Sequence, residues 1–320
     1  MVFLLDMPDV PMNLILGNVG PSVIFSLRKV CRSLRDYIDE AKPELYFNDI
    51  QILLKYKEIT IHLYHHLEMI LISYMLHGNG CRIVFDVIGR DTHEKFIENV
   101  DYIEGFWNDY SLIMKYQKSN LKRFHLHLSN SADVDDISKF LEQYKNSRSI
   151  KTQYLSLGIY HGDEIPIILQ HLDANCLKCI RFFNASDKNI DFTEIVKLDQ
   201  WKNAQEFSIR NLSITAPMKH FTHFSYIDAE FENSDAEDLK ALTEAAIGSP
   251  KFEKFIIRLH EFSYDNRQRL SELFGSPYTD QNNCTWFFKT CQEEKILRID
   301  NFREFSRLNF YLIDRSVVPN

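Results

Sequence analysis

The sequence predicts an α+β or α/β protein made of a small helical N-terminal unit, a β-meander, and an irregular leucine-rich-repeat-like α/β solenoid. Three observations support this prediction. Apolar residues recur at helical spacing over residues 7–40, they alternate as in strands over residues 50–63, and short apolar strands recur from residue 121 onward. The predicted domains cover residues 3–45, 46–120 and 121–320.

The composition limits the classes of protein that this chain can belong to. Its 320 residues are 45% hydrophobic and 26% charged, which is typical of a globular protein and excludes a disordered one. A net charge of -8 excludes a whole-protein attraction to phosphates, so nucleic-acid binding would need a local basic patch, and no direct nucleic-acid partner is expected. No run of about 18 apolar residues occurs, so no membrane partner is expected. Scattered cysteines without a secretory signal predict reduced thiols in the cytoplasm or nucleus.

The N-terminal unit is predicted to contain two helices. The first begins at Pro11 and ends at Gly20-Pro21, since proline is favoured at helix starts and glycine at helix ends. Ser22 is expected to cap the second helix. One face of that helix carries Leu27, Val30, Cys31, Leu34 and Ile38. We therefore expect the Cys31 thiol to be buried and unreactive.

Two hairpins are predicted after the helices. Ile50, Ile52 and Leu54 alternate, as do Ile59, Ile61 and Leu63, with a turn at Lys57-Glu58. A second hairpin turns at Gly78-Asn79-Gly80, whose residues accept a positive φ. A helix over residues 99–117 follows, because its large apolar residues recur at helical spacing.

The remaining chain contains similar strand segments at roughly regular spacing. The strand residues Phe124, Tyr154, Ile180 and Phe207 are spaced 30, 26 and 27 residues apart, near the upper end of the leucine-rich-repeat range. Units of this size bury their apolar faces by stacking, which predicts a parallel sheet with helices outside. The predicted strands are 121–128, 150–157, 177–183, 204–212, 221–228 and 252–259, with closing strands in "CTWFFKT", "EKILRID" and "REFSRLNFYLID".

Candidate metal and catalytic residues are few. Cys176 and Cys179 form one CxxC pair, but a structural zinc site needs four ligands, so burial as small hydrophobes is the favoured interpretation. His62, His65 and His66 lack an HExxH pattern and are interpreted as solvated, with His62 and His66 on one strand face. No nucleophile elbow, Walker loop or dinucleotide fingerprint occurs. We expect no catalytic residue, no metal and no cofactor.

The basic stretch "LRKVCRSLRDYID" at residues 27–39 could be a nucleic-acid helix, a reactive-thiol site or a docking helix. Nearby acids offset its charge, and it lacks the aromatic or amide residues that contact bases. The docking interpretation remains, with the arginines on the solvated or partner-facing side of the helix.

The stretch "MPDVPMNLILGNVGPSVIFSLRKVCRSLRDYID" resembles the F-box. Met7-Pro8 stands where that motif opens with Leu-Pro, and its first helix corresponds to Ile15, Leu16 and Val19. Gly20-Pro21 stands at the Asp-Pro-like turn of the motif.

The segment Leu27–Arg35 matches the "LRxVCxxLR" end of the motif, and the spacing needs no gap. The chain departs from the motif at Met7, at Pro11, and at Gly20, where an acid is usual. The remaining chain is similar to the nematode F-box A family, in which an F-box precedes an FTH domain, over residues 78–83, 99–115 and 220–259.

This resemblance implies a non-enzymatic substrate-recognition subunit of a Skp-cullin-F-box type ubiquitin ligase. Residues 3–45 would bind a Skp-type adaptor and, through it, a cullin, while the FTH body binds an unknown protein target. The adaptor-binding residues that the resemblance implies are Met7, Pro8, Ile15, Leu16, Val19, Pro21, Leu27, Val30, Cys31 and Leu34. Those expected to be exposed in the free chain are Pro8, Ile15, Val19 and Pro21.

Two other functions stay open at the level of sequence. The F-box could serve an interaction protein that acts without ubiquitin transfer, for instance in the regulatory binding of an RNA-binding partner. A metal-dependent enzyme that uses Cys176 and Cys179 is a third hypothesis, from a different class.

Overall fold

In the computed structural model, the chain forms two compact units. The first unit comprises Met1–Ser156 and His171–Cys176, and the second comprises Leu157–Gln170 and Leu177–Asn320. The described residues are 7–184, 190–232, 235–260, 264–280, 283–302 and 306–318.

Three helices open the first unit: α1 (Asp9–Asn18), α2 (Pro21–Val30) and α3 (Arg32–Ala41). The prediction of one helix through Cys31 is wrong, because Cys31 has an extended backbone (φ -158°, ψ 166°) that ends α2 and starts α3. Because of this break, Leu34 is buried in the core and Val30 is exposed to solvent.

A meander of five antiparallel strands follows the helices. The strands are β1 (Asp49–Lys55), β2 (Glu58–Tyr64), β3 (Met69–His77), β4 (Gly80–Val87) and β5 (His93–Glu98). Both predicted hairpins are confirmed, but the first turns at Tyr56-Lys57 and not at Lys57-Glu58. Lys57 and Gly78 have positive φ in the two turns. Strand β5 was not predicted, because most of its residues are exposed and lack apolar alternation.

The next elements are α4 (Tyr102–Tyr116), β6 (Leu121–Leu128), α5 (Val134–Lys145) and β7 (Thr152–Ile159). Strand β6 pairs in parallel with β1, which gives the order β6-β1-β2-β3-β4-β5 within this unit. The predicted helix at 99–117 is confirmed as α4, and it packs on the sheet through contacts such as Phe106 against Tyr74, with ring centroids 5.7 Å apart. An aromatic layer therefore forms the core between α4 and the meander.

In the part of the chain that the structure describes, four parallel strands of the second unit are followed by four antiparallel ones. Its elements are α6 (Glu164–Gln170), β8 (Cys179–Asn184), α7 (Asp199–Asn203), β9 (Glu206–Ile214), β10 (Tyr226–Phe231), α8 (Ala236–Gly248), β11 (Lys254–Leu259), α9 (Tyr264–Phe274), β12 (Tyr278–Asp280), β13 (Asn283–Lys289), β14 (Lys295–Phe302) and β15 (Arg307–Asp314). Strands β8 to β11 are parallel neighbours, and β11 is followed across the sheet by β15, β14, β13 and β12, all antiparallel. Trp201 packs against Phe207 in its core, with centroids 4.9 Å apart.

The predicted α+β class is confirmed, since helices precede mixed sheets with helices between the parallel strands. The repeat-like solenoid stays a prediction, because the parallel order of the second unit ends at β11 and antiparallel strands follow. Within the described residues, no helix is long and apolar enough to cross a membrane.

Candidate docking surface

Helix α1 is apolar on two opposite faces. Met12 and Leu16 are buried, whereas Val10 is 71% exposed and Leu14 is 63% exposed. Residues four apart share a helix face, so each pair forms one stripe and the two stripes point in opposite directions. A helix that is apolar on all sides is normally buried on all sides. One stripe of α1 therefore holds the N-terminal unit together, and the other is exposed to solvent.

Exposed apolar residues also occur beside α1 and where α2 meets α3. Met7 and Pro8 are exposed just before α1, and Val30 is 67% exposed at the end of α2. Together with Val10 and Leu14 they are called here the exposed apolar set. Single exposed apolar side chains are ordinary, but several on one small helical unit indicate an interaction surface.

The ten residues implied as adaptor-binding fall into three classes. Met7, Pro8, Val30 and Cys31 are exposed. Ile15, Val19 and Leu27 are half-buried. Leu16, Pro21 and Leu34 are buried in the unit itself, so they hold the helices in place.

Ile15 and Val19 were expected to be exposed and are half-buried, and two further expectations about exposure are wrong. Pro21 was expected to be exposed, but it occupies the first position of α2 and is buried. Cys31 was expected to be buried on an apolar face, but it lies in the helix break and is exposed. Val10 and Leu14 were missed, although the absence of a polar face on "DVPMNLILGN" was a signal that could have found them.

Arg28 does not lie on a solvated face, which corrects the interpretation of the basic stretch. Its side chain is largely buried, and it donates to Asp39 through Nε (2.8 Å to Oδ1) and Nη2 (2.9 Å to Oδ2). The Tyr116 hydroxyl of α4 also donates to Asp39. The hydrogen bonds from Arg28 are the largest cause that lowers the pKa of Asp39 to about 2. Arg28 therefore ties α2 to α3 and, through Asp39, to α4.

Glu68, in the loop between β2 and β3, caps the N-terminus of α2. No side chain of the helix itself serves there, because Gly20 is the N-cap residue. Glu68 accepts the Ser22 backbone N–H at 2.7 Å and the Ser22 hydroxyl at 2.5 Å. The predicted cap by Ser22 is thus wrong: its hydroxyl donates to Glu68 and accepts from Arg90 at 3.0 Å. The carboxylate complements the positive end of the helix dipole.

The candidate metal and thiol residues do not form a site. Among the described residues, no group of three His, Cys, Asp or Glu side chains comes close enough to hold a metal ion. Burial, and then Glu206, raises the pKa of Cys179 to about 12, so this thiol stays protonated at neutral pH. The Cys176 sulfur accepts from Asn120 Nδ2 at 3.6 Å. The expectation that His62 and His66 share a strand face is wrong, because β2 ends at Tyr64.

Comparisons with known proteins agree with this arrangement. One family model, the F-box domain, matches residues 4–45, and another, the FTH domain, matches residues 134–278. F-box A protein 224 of Caenorhabditis elegans is 24% identical over 299 residues, which cover 87% of this chain and 74% of that protein. A crystal structure of a Bacteroides fragilis protein is 13% identical over 68% of this chain and 66% of that one, and its TM-score of 0.25 is too low to indicate a shared fold. The resemblance drawn from the sequence is confirmed: this chain contains an F-box followed by an FTH domain.

Proposed function

We propose that this protein is a non-catalytic, substrate-recognition subunit of a Skp-cullin-F-box type ubiquitin ligase, acting in the cytoplasm or nucleus. The F-box binds a Skp-type adaptor, and the adaptor connects the chain to a cullin. The repeat-like body that follows holds a protein target close to the conjugating enzyme. Catalysis by proximity needs no reactive residue in this chain, since positioning alone raises the rate of a transfer between two partners.

The observation that carries this proposal is the exposed stripe of α1. Val10 and Leu14 lie on a helix whose other stripe is fully buried, within residues that match an F-box. Complete burial of one such side chain contributes about 1.5–3 kcal/mol to the free energy of binding. Two or three of them are therefore enough to form the energetic centre of an interface. An adaptor groove that accepts this stripe would bury Val10 and Leu14, which are exposed in the free chain.

The FTH body is proposed to bind the target. Residues 134–278, which match the FTH domain, span α5 to β12 and include the parallel strands β8 to β11. Stacked strand-and-helix units of this kind present long rows of side chains and loops, which suits the recognition of a protein surface. The identity of the target would depend on scattered residues of those rows and loops.

The proposal is tested by co-purification of the full chain with a Skp-type adaptor and a cullin. Val10→Asp together with Leu14→Asp is expected to abolish adaptor capture, because two charges would enter an apolar interface. Val317→Asp is the matched control, since Val317 is 64% exposed but lies in the second unit. Circular dichroism checks that each variant stays folded. Retained capture by the folded double variant would refute the F-box docking mode.

The same experiment separates ubiquitin transfer from an interaction role without it. A ligase subunit captures both adaptor and cullin, and the chain then promotes ubiquitination of proteins bound to its body. Capture of the adaptor without a cullin would contradict the ligase assignment and support an F-box interaction protein.

A further inference from the structure

A cavity of about 540 Å³ lies within the first unit, among α2, strands β3 to β5, and α4. Its apolar wall includes Ile83, Phe85, Ile97 and Leu112, which are all only half-buried. Small-molecule sites typically enclose about 300–1,000 Å³ with mostly apolar walls and a few polar groups. The size and lining of this cavity therefore fit a small ligand, and it is separate from the exposed apolar set of the F-box.

The acidic groups of the cavity are already engaged. Glu94 accepts from Arg82, through Nε at 2.5 Å and Nη2 at 2.9 Å. Asp109 accepts the Tyr74 hydroxyl at 2.8 Å. Both carboxylates have thus satisfied part of their hydrogen-bonding capacity within the chain, and Glu94 is neutralised by a guanidinium.

Two basic groups of the cavity are not neutralised in this way. Lys29 and Lys95 line it and are exposed, and neither enters an ion pair among the described residues. Lys29 Nζ lies 5.9 Å from the centre of the Phe85 ring, so a positive charge stands next to an apolar wall. This combination is complementary to a molecule with an apolar body and one negative charge.

We infer that this cavity binds a small amphipathic carboxylate, of the medium-chain fatty-acid class. The alkyl chain packs on Ile83, Phe85 and Ile97, and the carboxylate is held by Lys29 and Lys95. Because Lys29 belongs to α2 and Lys95 to β5, the ligand links the F-box to the edge of the meander. A ligand that binds the folded chain and not the unfolded chain stabilises the fold, and this stabilisation rises with the logarithm of the ligand concentration once that concentration exceeds the Kd.

Isothermal titration of the full chain with decanoate tests this inference. We expect one saturable site for decanoate and weaker binding of decan-1-ol, which has the same chain without the charge. Lys29→Met with Lys95→Met is expected to weaken decanoate binding about tenfold and to leave decan-1-ol binding unchanged, because the charge-assisted contacts are lost while the apolar wall remains. Lys57→Met is the matched control, since this exposed lysine also lies near an aromatic ring, 4.9 Å from the centre of Tyr56, but outside the cavity.

A cavity-filling variant gives an independent check. Ile97→Trp, or Leu112→Trp from α4 if the first variant does not fold, should eliminate binding of both probes. Nuclear Overhauser contacts between decanoate methylenes and the methyl groups of Ile83 and Ile97 in the unmodified chain would place the ligand directly. The inference is overturned if the unmodified chain shows no saturable site, if the folded lysine double variant binds decanoate with unchanged affinity, or if those contacts are missing.

Discussion

A β-carbon on Gly20 would lie 2.7 Å from Oε1 of Glu68. The φ of Gly20 is -69°, which every residue can adopt, so the backbone does not require glycine at this position. The space is taken instead by the Glu68 carboxylate that caps α2. The F-box motif usually carries an acid where this chain has Gly20, and here a carboxylate from the loop between β2 and β3 stands beside that position.

Removing this carboxylate should destabilise the fold. Glu68→Ala is expected to lower the free energy of unfolding by about 1–3 kcal/mol, because the Ser22 backbone N–H loses its acceptor in a part-buried place. Urea denaturation of the full chain measures the change. Glu98→Ala, at an exposed position of β5, is the control and should have little effect. Equal effects of the two substitutions would contradict the capping role.

Moving the acid to the position where the motif usually has it should restore stability. In the Glu68→Ala background, Gly20→Asp is expected to recover about 1 kcal/mol, since Asp is a preferred N-cap residue. In the unmodified chain the same change should destabilise, because two carboxylates would share one helix end. A double-mutant cycle measures this coupling. Strictly additive effects would show that Gly20 and Glu68 do not share the site.

Leu34 and Val30 are expected to respond differently to truncation. Leu34→Ala should cost about 2–5 kcal/mol of stability, because Leu34 is buried in the F-box core. Val30→Ala should change stability by less than about 0.5 kcal/mol and weaken binding of the adaptor, because Val30 is exposed. Denaturation and calorimetric titration with the adaptor check the two effects. A large loss of stability from Val30→Ala would contradict the placement of the helix break at Cys31.

Thiol labelling should identify Cys31 as part of the adaptor interface. Cys31 and Cys291 are both exposed, so both are expected to react with iodoacetamide in the folded chain. Cys81 should not react, because it is buried and burial raises its pKa to about 11. Bound adaptor should protect Cys31 and leave Cys291 reactive, as mass spectrometry of the labelled peptides would reveal. If bound adaptor protects neither thiol, Cys31 is not part of the interface.

The Arg28–Asp39 pair should make stability depend on acid pH. The pKa of Asp39 is about 2 in the folded chain and about 3.8 without partners, so the unfolded chain binds the proton first as the pH falls. The contribution of the pair is therefore complete above about pH 5 and is lost as the pH falls towards 2. Partial exposure of Asp39 screens the pair and limits the contribution to ~1 kcal/mol.

Urea denaturation between about pH 5 and 2.5 measures this dependence. The difference in unfolding free energy between the unmodified chain and Asp39→Asn should shrink as the pH falls. Asp36→Asn is the control on the same helix. Asp36 also faces an arginine, with 3.7 Å between its Oδ2 and Nε of Arg32, but both side chains are exposed, so this pair should contribute little. A difference for Asp39→Asn that does not change with pH would contradict the role of the pair.

The elements that could be predicted from the sequence are those that depend on neighbours along the chain. Alternating residues such as Ile50 and Ile52 predicted β1, and Gly78-Asn79 predicted the turn of the second hairpin. The F-box was recognisable for the same reason, because its motif lies within one short continuous segment. Strand β5 was not predicted from the sequence, because a strand at the edge of a sheet needs little apolar alternation.

Which apolar residues of the F-box are buried depends on the packing of the folded chain and could not be predicted from the sequence. Leu34 and Val30 look equivalent in a helical repeat, but one extended residue, Cys31, places them on opposite sides of the boundary between core and solvent. The cap of α2 also depends on the fold, since Glu68 lies 46 residues from Ser22 in the chain. Burial and such distant hydrogen bonds depend on how segments pack, and local spacing contains no information about packing between segments far apart in sequence.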